Sequence, residues 1–269
     1  MIRPRIALPA AIVAMALVVG ACSSSSSGNG SPQPLPTAVS SLPSKLPKTS
    51  ATLSEFMRHG LTTTGSARIT VTARAQGKKV QSSGHETLVN GAITGLDVTL
   101  TSPAVHKVRV LLVNSVTYAA LPHGNKGKPW SAMPRTSGHK PSREAKAVQS
   151  ALAATDPLVA PANIVALVTA GDVRIKGTGV TAHVPYARYA VTTQVSKLEK
   201  TAPIRVTLLA AHVRTVRLDV RVDGSGRPIV VRWQSQGGTG VPAGRAELQD
   251  YNRPVHLQAP KASQVSTSG

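Results

Sequence analysis

Apolar and polar residues alternate cleanly from Ser66 to Ala75: Ile69, Val71 and Ala73 face one way, and Arg68, Thr70, Thr72 and Arg74 face the other. A period of two marks a half-buried strand. Gln76-Gly77-Lys78 turns this strand into a second, about Lys79 to Val89, and Asn90-Gly91 is a further hairpin signal. Ala92 to Thr101, Lys107 to Val113 and Val116 to Leu121 continue the meander, with Asn114-Ser115 as a turn. Upstream, Leu53, Phe56 and Met57 stand at helical spacing within Thr52 to His59, and Gly60 is the expected stop.

The period changes after Trp130. Ser142 is positioned to cap a helix in which Ala145, Val148 and Leu152 share a face. Asp156-Pro157 is a start signal, and Pro161 opens a helix with Ile164, Leu167 and Val168 as its apolar stripe, ending at Gly171. Strands resume at Asp172 to Lys176 and Tyr186 to Val195, and Ser196 to Ala211 reads as a short helix. Val216, Leu218, Val220 and Val222 then alternate with Arg217, Asp219 and Arg221. Asp223-Gly224-Ser225-Gly226 reverses the chain, and the return strand carries Ile229, Val231 and Trp233 inward. Glu247 to Tyr251 and Val255 to Ala259 are expected to close the sheet. The pattern predicts an α+β domain over residues 50–259, a large curved antiparallel sheet wrapped over a few helices.

The termini carry no such periodicity. Met1 to Arg5 is a short basic stretch, and Ile6 to Val19 is an uncharged run of 14 residues followed by Val19-Gly20-Ala21-Cys22. About 20 apolar residues are needed to span a bilayer, so the run reads as the core of a signal peptide, residues 1–21. Small residues before a Cys fit a peptidase that cleaves in front of it and leaves the thiol for a diacylglyceryl group. The pattern resembles a bacterial lipobox, and the only Cys of the chain stands at the position it requires. The expected location is therefore the cell membrane, lipid-anchored on the extracytoplasmic face through Cys22. Residues 22–49 are rich in Ser, Pro and Gly and read as a disordered tether; Ser23 to Lys48 would average roughly 28 Å end to end as a flexible coil. Pro260 to Gly269 reads as a disordered tail.

Composition narrows the chemistry. Aromatic residues make up only 3% of the chain, so the core must be aliphatic. A single Cys removes any internal disulfide and any Cys-rich metal site. The net charge of +20 attracts polyanions, and Arg3 and Arg5 are the only charges that the signal segment would remove. The eight His are scattered singly, and no H-E-x-x-H, G-x-S-x-G, Walker or post-strand G-x-G-x-x-G motif occurs. Gly124 to Lys128 lacks the strand–loop–helix setting of a phosphate cradle. The Arg/Thr strand faces lack the stacking aromatics of a nucleic-acid platform. The expectation is a non-enzyme, with no catalytic residue, metal site, cofactor or nucleic-acid partner.

One resemblance covers the whole folded region. An Asn-x-Val-x-Tyr strand (Asn114 to Tyr118) and Pro129-Trp130 precede Asp156-Pro157 and the Ala170-Gly171-Asp172-Val173 that ends a helix. After Lys176-Gly177-Thr178 come Tyr189-Ala190-Val191-Thr192 and Val220 to Pro228. This order resembles the LppX/LprA/LprF/LprG lipoproteins of actinobacteria. The resemblance implies a half-barrel similar to the LolA and LolB carriers, in which a sheet over helices leaves an apolar cavity for acyl chains of glycolipids or triacylglycerides. Candidate walls, from the inward strand faces and the helix stripe, are Val71, Leu100, Val110, Leu112, Ile164, Leu167, Val168, Val220, Ile229 and Val231. From the pattern alone, such a face can equally be filled by helices. The expected partners are membrane lipid, as anchor and ligand, and an anionic envelope polymer or a lipid-export protein, around a monomer. The alternative is a non-carrier envelope protein whose basic surface docks anionic wall polymer or another protein.

Overall fold

The computed structural model describes residues 41–75, 78–121, 127–133, 143–155, 160–238 and 243–266. The signal segment, Cys22, the first part of the tether, Ser142 and Asp156-Pro157 lie outside them, as do Gln76-Gly77 and residues 122–126.

Helix α1 (Ser50–Thr62) begins earlier than the apolar spacing predicts, because Thr49 and Thr52 form a capping box. The Thr52 amide donates to Thr49 Oγ1, and the Thr49 amide donates to Thr52 Oγ1, both at 3.2 Å. Gly60 does not end the helix. A Cβ there would lie 2.3 Å from the carbonyl oxygen of Ser225, so Gly60 is the point at which α1 presses on a strand turn.

The meander follows as β1 (Ser66–Ala75), β2 (Lys78–Val89), β3 (Ala92–Thr101), β4 (Val108–Val113) and β5 (Val116–Ala119), each antiparallel to the last. The left-handed φ values at both centres of the Asn90-Gly91 and Asn114-Ser115 turns supply the twist that two-residue hairpins need. Trp130 starts a short strand that the pattern does not reveal, β6 (Trp130–Met133), paired with β5. Helices α2 (Arg143–Thr155) and α3 (Pro161–Thr169) then carry the chain to the opposite edge of the sheet. There β7 (Asp172–Thr181), β8 (Val184–Gln194), β9 (Thr215–Asp223), β10 (Pro228–Gln236) and β11 (Gly244–Gln249) form a second antiparallel meander, with α4 (Pro203–Ala210) between β8 and β9.

The two meanders join where β1 pairs with β11; with β12 (Val265–Ser266) they give one 12-stranded sheet in the order β12-β6-β5-β4-β3-β2-β1-β11-β10-β9-β8-β7. The sequence reading is corrected at both ends of the domain. Leu42 and Leu46, assigned to the tether, pack against the core. Residues Val255 to Ala259 form no strand, and Val265–Ser266 of the expected tail is strand β12, parallel to β6. The segment between them is a strap. Asn252 bonds to Thr63, Gly65 and Ser66 beside β1, Leu257 would meet a Cβ at Gly95 of β3, and β12 docks at the far edge. The strap lies on the face opposite the helices and explains why Leu111 and Val113, outward on β4, are buried. Among the described residues no helix is long and apolar enough to cross a membrane.

Candidate functional site

The inner face of the sheet carries the candidate residues in register. Val98 and Leu100 stand opposite Val110 and Val108, Val71 opposite Ala246, and Val220 between Tyr189 and Val231. Val71, Leu100, Val110, Ile164, Leu167, Val168, Val220 and Val231 all belong to one buried cluster that also contains α1. Two of the ten stand apart. Leu112 keeps the inward parity but lies toward a strand end and is half-exposed. Ile229 is the extra residue of a β-bulge between Pro228 and Val230, so it is buried outside the cluster.

The helices over this face differ. α3 starts at the β2–β3 turn, where the Ala162 amide donates to the Gly91 carbonyl at 3.0 Å, and it ends beside β8, where Thr193 Oγ1 donates to the Leu167 carbonyl at 2.7 Å. It buries Ile164, Val165, Leu167 and Val168. α2 lies over β1, β2 and β3. Among the described residues it buries Ala145, Val148 and Ala151 and packs the partly buried Ala147 and Leu152 against the core, smaller side chains for the most part than those of α3.

Buried polar groups are the part that sequence reasoning missed. Glu86 is fully buried opposite Ala67. Near it, Asp223 accepts the Ser225 and Arg227 amides at 2.9 and 2.8 Å and pairs with the Arg227 guanidinium at 2.8 Å. Arg227 covers the Tyr251 ring at 4.9 Å, and the Tyr251 hydroxyl donates to the Pro228 carbonyl. Burial, and then the charges of Asp223 and Glu86, hold the Tyr251 phenol well above its ordinary range against the opposing Arg227. Tyr189 is fully buried on β8, and desolvation pushes its phenol up to about 12. Both Glu86 and Tyr189 occupy inward positions of alternating strands, so period-two parity was the signal that could have found them.

The outer face of the second meander is polar. Arg174, Arg217 and Arg232 are exposed there, and Arg188 and Arg245 pair with Asp219 and Glu247. Arg221 lies over the Tyr186 ring at 4.7 Å. Among the described residues, an open cleft of ≈ 380 Å³ lies on this face beside Arg217, Asp219 and Arg232, and another of ≈ 370 Å³ lies beside Thr63, Ser66, Thr87 and Asn252. Neither is lined by a candidate wall residue. Among the described residues no three His, Cys, Asp or Glu gather as metal ligands.

No family model matches the chain, and no curated protein matches it. Among solved structures it is similar to lipoprotein LppX of Mycobacterium tuberculosis, at 12% identity over 77% of this chain and 99% of that one, with a TM-score of 0.47. It is also similar to LprF of Mycobacterium bovis, at 10% identity over 80% and 99%, with a TM-score of 0.48. A putative outer membrane lipoprotein-sorting protein domain from Vibrio parahaemolyticus matches at 9% identity over 76% and 92%, with a TM-score of 0.28. LppX and LprF are among the lipoproteins that the order of motifs resembles.

Proposed function

We propose that the protein is an envelope lipoprotein, held by acyl groups on Cys22 at the outer face of the cytoplasmic membrane, that binds or carries acylated lipids between its sheet and its helices. The observation that supports this most is the inner face itself. Eight of its ten candidate walls lie in one buried aliphatic cluster, downstream of a Cys in a lipobox-like setting. Such a surface holds an acyl chain without polar contacts, at about 0.8 kcal/mol for each CH₂ removed from water. The ligand class follows from the resemblance: glycolipid or triacylglyceride.

Organic-solvent extraction of the mature protein, followed by mass spectrometry, tests this reading, because acyl groups on Cys22 stay on the chain and do not enter the lipid count. About one acylated lipid per chain is expected, reduced in Val110→Trp, which fills the acyl position. A wild-type protein free of extractable lipid overturns the reading. The outward arginines of β7, β9 and β10 favour a second reading, a non-carrier that docks anionic polymer. That reading requires binding that falls as salt rises and no extractable lipid.

A further inference from the structure

Strand β8 carries two hydroxyls on its inner face, and the fold treats them differently. Thr193 donates to the Leu167 carbonyl of α3. Tyr189, four residues earlier, is 0% exposed, and its hydroxyl has no hydrogen-bond partner among the described residues. Its neighbours on that face are Ala187 and Val191 along the strand, Ile175 on β7 and Val220 on β9. A hydroxyl buried among aliphatic groups forfeits its water bonds, and a Phe would fill the same space without that loss. The protein satisfies a comparable phenol elsewhere, since Tyr251 donates to Pro228. The orphan hydroxyl is thus a donor without an acceptor, inside the surface assigned above to acyl chains.

We propose that the Tyr189 hydroxyl is the polar anchor of the interior lipid site and donates a hydrogen bond to the carbonyl oxygen at the head end of a bound acyl chain. The proposal rests on the lipid-binding reading. Three observations set the ligand chemistry and orientation. First, a phenol is protonated at neutral pH and burial pushes its pKa further up, so the hydroxyl acts as a donor. Second, the inward positions of β7, β8 and β9 around it carry Val, Ile, Ala, Leu, Pro and Thr, and Lys176 at the β7 bulge is exposed to solvent, so a phosphate would arrive uncompensated. An uncharged ester carbonyl, or the carboxyl of a neutral fatty acid, carries no such penalty. Third, Tyr189 stands one strand in from the β7 edge, where Val173 and Ile175 are only half-buried. The head end therefore lies toward the edge and the chain runs inward past Val220 and Val231.

The mature protein, stripped of non-covalent lipid, should be loaded separately with dipalmitoylglycerol and with palmitic acid, each ¹³C-labelled at the carbonyl. Tyr189→Phe is expected to bind the diester about threefold to tenfold more weakly, the range of one neutral hydrogen bond. It should also lose the carbonyl shift seen by infrared difference spectroscopy. Lipid-free Tyr189→Phe should melt at the wild-type temperature or above, since the orphan donor is gone. Tyr186→Phe, on the outer face, should match the wild type. Dependence on Tyr189 for palmitic acid alone supports the same anchor with the free acid as its source. Unchanged binding of both lipids overturns the anchor, and a lowered melting temperature in that case shows that the hydroxyl has a partner within the protein. A wild-type protein that takes up neither lipid overturns the lipid-binding reading as well, and so separates the two failures.

Discussion

The two meanders share one sheet and one inward alternation, yet they are closed by different means. Around β7 to β11 the inner face shares its core with α1 and with α3, which reaches β8 through Leu167 and Val168, and the outer face is left to arginines and their few acidic partners. Around β1 to β3 the inner face is covered in part by α2 through Ala145, Val148, Ala151 and Leu152, and the strap lies over part of the outer face at β3 and β4. The difference follows from strand chemistry. β9 alternates apolar with charged residues and needs one cover, whereas β4, Val-Arg-Val-Leu-Leu-Val, is apolar on both sides toward its end and needs two. One half therefore leaves a charged outer face bare, and the other covers part of its apolar outer face with the C-terminal segment.

Three experiments break or sharpen this contrast. The largest effect is expected in the helix covers: Leu167→Ala should cost about 3–5 kcal/mol in urea unfolding, while Val148→Ala should cost about 1–2 kcal/mol. Equal losses would mean that α2 is held as tightly as α3. Next, deletion of residues 255–269 removes Leu257 and β12 and uncovers Leu111 and Val113. About 2–4 kcal/mol should be lost, with increased binding of a hydrophobic dye. A deletion without effect would show that the strap covers nothing of consequence. The smallest stability change belongs to the arginine face. Arg217→Glu with Arg232→Glu should move unfolding by less than about 0.5 kcal/mol while weakening attachment to anionic vesicles at low salt. Retained attachment would place the basic docking surface elsewhere.

Local chemistry made much of this fold legible. Ser66–Ala75 and Ala92–Thr101 stand where the alternation places them, the Asn90-Gly91 and Asn114-Ser115 turns form, and Pro161 opens α3. Each depends on interactions within a few residues. The candidate face was legible for the same reason, since parity alone puts Val71, Leu100, Val110, Val220 and Val231 on one side. Ile229 escaped because a bulge resets parity through the pairing with β9, which lies outside the strand itself. Glu86 and Tyr189 were readable from parity but were passed over because they are not aliphatic.

What the sequence determined by itself is the set of amphipathic pieces, the turns between neighbours and the inward face of the long regular strands, all of them properties of the backbone period and side-chain polarity. Tertiary structure decided the rest. The β1–β11 junction brings together strands nearly the whole domain apart, Gly60 serves a contact with Ser225 rather than a helix end, and the C-terminal segment becomes a strap because β4 has a second apolar face to cover. Long-range pairings of this kind are chosen by the apolar area left uncovered once every local element has formed, and no window of consecutive residues contains that quantity.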